Sequence, residues 1–255
     1  MSIYGKEFAA VYNDQWAFWG SKMWPFLEKV AAAQNPDART WLDLCCGCGS
    51  LLKFVCESGF AAVGVDVSPH QLKHAKKNAP GATYVRSDVR RFSLGRKFDV
   101  ITCLFDSLNY LTRKKDLERV FRAVRRHLES GGLFAFDVNT FEGLQDQWCE
   151  TSVRRARGRT VIIKTSFDEK RALGRCLVTG FLKEGRLYRR FEEEHIERGY
   201  RAGEIEDLLA RAGLTFEKYD GYVLSAPQPR SGRLLYLCCN ARQRGKDTAE
   251  GGVWP

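Results

Sequence analysis

Residues 42 to 50, Leu42-Asp43-Leu44-Cys45-Cys46-Gly47-Cys48-Gly49-Ser50, constrain the fold more than any other stretch of this chain. The run from Trp41 to Cys45 reads as a short buried strand, and Leu51, Leu52, Val55 and Cys56 after it recur at helical spacing. Gly47 and Gly49 therefore fall in the turn from strand to helix. A residue without Cβ takes positive φ there and lets a ligand approach the main chain closely. Asp43 puts a carboxylate at the strand's end. A second apolar run, Ala61 to Val65, ends in Asp66, nineteen residues after Gly47. An acid at that spacing can accept both hydroxyls of a ribose. The pattern is suited to holding a nucleoside.

The same alternation continues along the chain. Strands are predicted at 40–45, 61–66, 83–86, 98–103 and 133–138, and helices at 50–58, 69–78 and about 114–129. The last helix carries Leu117, Val120, Phe121, Val124 and Leu128 on one face, with Gly131-Gly132 as its stop. Such alternation predicts a parallel sheet covered by helices on both faces, with ligands bound at the carboxyl ends of the strands. Asp43, Asp66, Asp88, Asp106 and Asp137 all fall at or just past those ends.

Ahead of the sheet, residues 7–33 read as helical, with Phe8, Val11, Tyr12, Trp16 and Trp19 in an aromatic stripe and Pro25 breaking or beginning a helix. From 151 to 199 the character changes. Runs at 161–165, 175–182 and 187–191 look like strands with turns at Gly174 and Glu184-Gly185, an antiparallel β insertion. A helix at about 202–212, stopped by Gly213, and strands at 215–220 and 233–240 complete the pattern. The expectation is one domain over 1–240, comprising an N-terminal helical lid at 1–35 and the β insertion over the cleft, then a flexible tail at 241–255.

Composition excludes more than it selects. The 255 residues are 44% hydrophobic and 28% charged, ordinary for a globular protein, and can bury a sizeable core. No apolar run approaches the roughly 18–20 residues of a membrane span, and the N-terminus lacks the pattern of a secretory signal. Nine cysteines, several inside core strands, fit reduced thiols and a cytoplasmic setting. Cys45, Cys46 and Cys48 are not at zinc spacing and have no histidine pair, so no metal site is expected. The net charge of +10 permits an acidic partner without choosing one. Most of the basic residues, Arg154, Arg155, Arg157 and Arg159 among them, fall on polar faces of predicted elements.

Two cofactors compete for the nucleoside site. A dinucleotide fingerprint would place its third glycine at position 52, which is Leu52, and Asp43 would repel a pyrophosphate. A carboxylate beside the turn suits a cation. The pattern Asp43-x-x-x-Gly47-x-Gly49 followed by Asp66 resembles motifs I and II of class I S-adenosylmethionine (AdoMet) methyltransferases. Arg86-Ser87-Asp88-Val89, the run Lys97 to Leu111, Leu128-Glu129-Ser130-Gly131-Gly132 and Arg190 to Tyr200 extend the resemblance. They point toward the small-molecule branch that holds glycine N-methyltransferase and the nucleotide-amino-sugar N,N-dimethyltransferases. One departure is Cys46-Gly47-Cys48-Gly49, where many relatives carry Ala-Cys-Gly-Thr-Gly.

The resemblance implies an α/β, Rossmann-like fold: a seven-stranded, mostly parallel sheet with helices on both faces, an antiparallel β insertion and an N-terminal helical lid. It implies AdoMet as cofactor, bound by Tyr4, Asp43, Cys45, Gly47, Gly49, Asp66, Val67, Asp88, Val89, Leu104 and Phe105. In this family an acid at the position of Asp88 accepts from the adenine amino group. The implied reaction is in-line transfer of a methyl group to a small-molecule acceptor, with nitrogen favoured. Asp106, His195 and Tyr12 are the catalytic candidates, with Asn109, Asp137 and Asn139 as further proton acceptors and Trp16 as a wall. Asp106 has a second reading, as a cap on the following helix. Nucleic acid is disfavoured as a partner, since Leu104-Phe105-Asp106-Ser107 lacks the Pro-Pro motif of base-amine methyltransferases, but it stays open, as does a protein acceptor. A non-catalytic AdoMet-binding module is the rival of a different class. Oligomeric state is not legible.

Overall fold

The structure, a computed structural model, describes residues 4–156 and 158–240. The tail expected at 241–255, and Arg157, lie outside the described residues. Two helices come first, α1 (Lys6–Gln15) and α2 (Phe18–Gln34). The alternating part then runs β1 (Thr40–Leu44), α3 (Ser50–Glu57), β2 (Ala61–Asp66), α4 (Pro69–Asn78), β3 (Thr83–Arg86), β4 (Phe98–Cys103), α5 (Lys114–His127) and β5 (Leu128–Asn139). A short helix α6 (Phe141–Gln147) leads into β6 (Thr151–Ala156), β7 (Arg159–Asp168), β8 (Leu173–Glu184) and β9 (Leu187–Arg198). Last come α7 (Ala202–Ala212), β10 (Leu214–Asp220) and β11 (Arg233–Asn240).

The main sheet has seven strands in the order β10-β11-β5-β4-β1-β2-β3. The pairs β1–β2, β2–β3, β1–β4 and β4–β5 are parallel, while β11 runs antiparallel to both β5 and β10. The order reverses direction between β1 and β4, which opens a crevice at the carboxyl ends of those two strands. One face is buried under α5 and α7, where Phe121, Phe134, Phe136 and Tyr236 form a continuous aromatic layer. The other face is covered by α2 and α3 through Trp19, Met23, Trp24, Leu27, Leu51 and Leu52. The remaining strands form a separate antiparallel sheet in the order β6-β7-β8-β9. Phe8 and Val11 of α1 close over its inner face against Val161 and Val178.

The turn expected at Gly174 falls instead at residues 169–172, with Gly174 inside β8, and three further local expectations fail for identifiable reasons. Pro25 neither breaks nor begins a helix: it lies inside α2, and the interruption comes at Trp16–Ala17. A proline there removes one i→i−4 bond, which burial of Met23, Trp24, Leu27 and Val30 on the same helix offsets. Gly131-Gly132 does not stop a helix. α5 ends at His127, and the glycines sit within β5 beside a register shift against β4. A Cβ on Gly132 would lie 2.8 Å from the Asp99 carbonyl oxygen, so the close passage of the two strands requires glycine. The β insertion has a fourth strand, β6, whose residues are all exposed and therefore show no apolar alternation. Among the described residues no helix is long and apolar enough to cross a membrane.

Candidate functional site

The turn after β1 is shaped by backbone sterics and one carboxylate. Cys45, Gly47 and Gly49 all have positive φ, at 55°, 52° and 74°. Gly49 begins α3, and a Cβ there would stand 3.0 Å from the backbone of Ala75 in α4. Asp66, at the end of β2, accepts the Gly47 N–H at 2.9 Å and the Ser68 N–H at 2.8 Å, one on each carboxylate oxygen. It thereby ties the glycine turn to the start of α4. Burial raises its pKa, and the backbone N–H groups oppose that rise.

Asp43 lies beneath the turn, only 4% exposed. Trp41 Nε1 donates to Thr102 Oγ1 at 3.0 Å, and that hydroxyl donates to Asp43 Oδ1 at 2.7 Å. Burial pushes the Asp43 pKa up to about 7, against the lowering pull of Thr102 and with a further push from Asp66. Asp43 is thus a carboxylate that a nearby cation would readily ionise.

In front of these groups opens a cavity of about 580 Å³, the size of a small-molecule site. Of the residues predicted for the cofactor, Tyr4, Cys45, Gly47, Asp66, Val67, Asp88 and Val89 line it, and so does Tyr12 of the catalytic candidates. Asp43, Gly49, Leu104, Phe105, Asp106 and His195 do not. Asp88 is gripped by Arg90, whose Nε lies 2.9 and 3.0 Å from its two oxygens, and that contact holds its pKa below the usual carboxylate range. Phe105 packs on Trp19 and Tyr12, with ring centroids 5.3 and 6.0 Å apart. Phe105 and Asp106 both have positive φ, at 58° and 51°, as does Tyr4 at 59°. Such backbone strain in residues other than glycine is concentrated at functional sites.

The N-terminal segment closes the cavity from above. Glu193 of β9 accepts the backbone N–H groups of Tyr4 and Gly5, and Ser68 at the head of α4 donates its hydroxyl to the Tyr4 carbonyl at 2.8 Å. Tyr4 is therefore fixed to both the nucleoside half and the β insertion. Its hydroxyl lies 3.3 Å from that of Tyr110, which in turn lies 3.0 Å from His195 Nδ1. His195 is 2% exposed, and burial pushes its pKa down to about 4, so the ring is neutral at pH 7. Its Nε2 faces Glu193 at 3.5 Å. Burial raises Tyr4, Tyr12 and Tyr110 well above the ordinary tyrosine value, so these hydroxyls are neutral hydrogen-bonding groups.

Asp106 does not cap the following 3-10 turn, Ser107–Tyr110, with its side chain. Its carboxylate accepts from Arg233 Nη2 at 2.7 Å, and its N–H donates to Asp137 at 3.1 Å. Arg233 Nη1 reaches Asp137 at 2.5 Å. Glu197 accepts from Asn139 Nδ2 at 3.0 Å, and burial, with the neighbouring Asp106 carboxylate, raises its pKa far above the ordinary value. Asn109 donates to the carbonyls of Asn139 and Arg198. Asp137, Asn139 and Asn109 are therefore engaged in holding β5, β9 and the 3-10 turn together. Among the described residues no group of three or more metal-ligating side chains converges.

Sequence reasoning missed Gln71 and Tyr110, which both line the cavity. Tyr110 could have been found, since it follows Asp106 on the same strand-end turn. Gln71 carries no such signal, because a glutamine one turn into an amphipathic helix reads as surface. It is in fact 1% exposed, and neither its Oε1 nor its Nε2 has a hydrogen-bond partner among the described residues. An orphaned buried amide on the cavity wall, with Asp66 and the glycine turn beside it, fits a polar nucleoside ligand.

The chain is similar to known methyltransferases in sequence and in fold. The family described as "Methyltransferase domain" matches residues 42–132. The chain is 29% identical to a dTDP-3-amino-3,4,6-trideoxy-alpha-D-glucopyranose N,N-dimethyltransferase of Streptomyces venezuelae, over 85% of this chain and 87% of that one. A crystal structure of an S-adenosylmethionine-dependent methyltransferase from Clostridium acetobutylicum superposes with a TM-score of 0.81 at 28% identity, covering 92% of this chain and 98% of that chain. The crystal structure of Streptomyces venezuelae DesVI gives 0.76 at 26% identity, over 92% and 97%. A sheet of this order, whose first glycine turn and second-strand acid close around a cavity of nucleoside size, is the frame expected of such enzymes, and the chain belongs to the class I AdoMet-dependent methyltransferases.

Proposed function

We propose that this enzyme methylates a nitrogen on a small molecule, and that the acceptor is an amino sugar carried on a nucleotide. The observation that carries this reading is the cluster of neutral hydrogen-bonding groups at the cavity: the Tyr4, Tyr12 and Tyr110 hydroxyls, with His195 behind. An amine attacks as its free base, and neutral hydroxyls can orient its lone pair without holding it as an ion. The relative from Streptomyces venezuelae acts, by its name, on such an amine. No observation favours an RNA or protein acceptor or a non-catalytic module.

When bound, AdoMet supplies an already activated methyl group, so the protein's main task is alignment, worth about 7–11 kcal/mol in favourable cases. Asp66, Val67, Asp88 and Val89 hold the nucleoside, with Cys45 and Gly47 at the turn. Asp43 supplies negative charge beneath it. Gly49, Leu104 and Phe105 shape the wall from behind. Tyr12 and Tyr110 orient the acceptor, and His195 acts through Tyr110: its neutral Nδ1 accepts a hydrogen bond from the phenol and leaves an oxygen lone pair on Tyr110 for an amine N–H. Asp106 fixes the strand-end turn that carries Tyr110. Residues 1–240 act as one unit, with lid 1–35 and insertion 151–199 enclosing the acceptor. The cytosol, where the nine free cysteines stay reduced, is the proposed setting.

The test is turnover of AdoMet with dTDP-linked amino sugars and their hydroxyl counterparts. The expected result is S-adenosylhomocysteine with singly and then doubly methylated amine, and none from the hydroxyl sugars. Methylation of RNA or a protein, with no amine turned over, would refute the reading.

A further inference from the structure

Cys45 and Cys103 carry free thiols for which methyl transfer has no use. They stand at the ends of β1 and β4, where the strand order reverses. The parallel register pairs Asp43 with Thr102, so Leu44 lies beside Cys103 and Cys45 one step past it. With strands about 4.8 Å apart and a rise of about 3.3 Å per residue, the two Cα atoms are about 6 Å apart, inside the roughly 4.4–6.8 Å that a disulfide spans. Alternation alone would send the Cys45 side chain to the face of Asp43 and Thr102. Its positive φ of 55° turns it to the other face, where it packs against the core cluster that holds Leu44 and Cys103. Cys46 belongs to the cluster on the opposite face. Cys45 is half-buried and lines the cofactor cavity, whereas Cys103 is fully buried. The neighbouring Cys45 thiol, together with burial, holds the Cys103 thiol well above its ordinary pKa.

We infer that Cys45 and Cys103 form an oxidative modification site that governs cofactor binding, with a peroxide as the oxidant. Cys45 is the sulfur that a small oxidant reaches from the cavity, and as thiolate it attacks the peroxide O–O bond. That bond breaks, Cys45 becomes a sulfenic acid, and the departing hydroxide takes up the proton that Cys45 released. Cys103 then attacks the Cys45 sulfur: the S–O bond breaks, the S–S bond forms, and the second hydroxide leaves with the Cys103 proton as water. The two sulfurs give up two electrons, which the peroxide gains. A disulfide bond of about 2.05 Å is far shorter than a non-bonded thiol contact, so Cys45 is drawn toward β4. The turn cannot follow it whole, because the next two residues are tied to β2. Cys46 N–H donates to the Val65 carbonyl at 3.0 Å, and Gly47 N–H to Asp66 at 2.9 Å. Oxidation therefore stretches the glycine turn between β4 and β2 and distorts the cofactor site. Linkage makes the effect mutual: bound cofactor holds the turn in place and covers Cys45, so it opposes oxidation.

The experiment uses the full chain carrying Cys149→Ser, which removes an exposed thiol. Hydrogen peroxide is added with and without saturating S-adenosylhomocysteine, the remaining thiols are alkylated, and peptides are mapped by mass spectrometry. The expected product is a Cys45–Cys103 disulfide, formed about tenfold more slowly with the ligand bound. Calorimetric titration should show the oxidised protein binding S-adenosylhomocysteine about tenfold more weakly, with full recovery after dithiothreitol. Adding Cys103→Ala should leave a Cys45 sulfenic acid that dimedone captures. Should that variant not fold, mapping of the parent chain decides alone. Cys45 and Cys103 both left free, either one joined to a different cysteine, a disulfide that leaves affinity unchanged, a rate that the ligand does not alter, or no dimedone capture in the folded variant would each overturn the inference.

Discussion

Asp43 should make AdoMet affinity depend on pH within a window that its burial defines. The ordinary aspartate pKa is about 3.9, and burial raises this one to about 7 in the unliganded protein. The folded, unliganded chain therefore binds a proton at Asp43 that the unfolded chain releases. That contribution to stability is present below the unfolded pKa, declines as pH rises, and is lost by about pH 7. It amounts to about 4 kcal/mol at most, from some three pKa steps of 1.36 kcal/mol each. Binding has the opposite sign. The ammonium and sulfonium of AdoMet favour the ionised carboxylate, so the ligand must expel the proton whenever pH is below about 7. At pH 6 about one Asp43 in eleven is ionised, which weakens binding by about tenfold, or 1.4 kcal/mol, relative to pH 8. Titration calorimetry of the wild type and Asp43→Asn from pH 8 to 5.5 isolates this group. Asn keeps the shape and can accept from Thr102, but carries no charge. The variant should bind more weakly than wild type at pH 8, and the two should converge near pH 6. Equal slopes in both proteins would refute the reasoning, because the titrating group would then lie elsewhere.

Asp66→Ala should weaken AdoMet binding at least tenfold and also lower the melting temperature, because the Gly47 and Ser68 N–H groups lose their shared acceptor; unchanged affinity with an intact circular dichroism spectrum would remove Asp66 from the site. Glu193→Ala releases the Tyr4 and Gly5 N–H groups, and AdoMet dissociation in stopped flow should quicken about tenfold, while an unaltered rate would show that the strap does not gate the cavity. Gly20→Ala should cost about 1–3 kcal/mol in chemical denaturation, since its Cβ would lie 2.5 Å from the backbone of Ser50 where α2 crosses the start of α3; wild-type stability would mean that the two helices separate freely. Binding to nucleic acid should be weak and collapse as salt rises while AdoMet affinity changes little, and sequence-preferring RNA binding at physiological salt that stimulated turnover would overturn the small-molecule reading.

The nucleoside half was legible because each of its devices is local in sequence. A strand, a glycine turn and an acid at the next strand end lie within 27 residues, from Thr40 to Asp66, and their periodicities differ sharply. Strand 61–66 and helix 69–78 fall where they were expected. The acceptor half was harder to read, because its contacts span long separations. Tyr110 meets His195 across 85 residues, and Arg233 meets Asp106 across 127. No spacing rule links such pairs, so Asp106 kept a second reading as a cap, and nothing singled out Arg233. β6 was invisible because both of its faces are exposed. Gln71 escaped because polarity on a helix is ordinarily solvated, and only packing reveals a glutamine held indoors.

Tyr4 is one residue with anchors on two bodies: its carbonyl on α4, its N–H on β9, its phenol on Tyr110. A ligand that steadies any one of these attachments makes the other two easier to keep. Linkage requires the benefit to be mutual. If AdoMet in the nucleoside half tightens the hold on Tyr4 and so sharpens the acceptor pocket, the acceptor must raise AdoMet affinity by the same factor. Ordered binding and slow escape of the cofactor from a filled pocket would then be two readings of a single free energy, stored in the attachments of Tyr4.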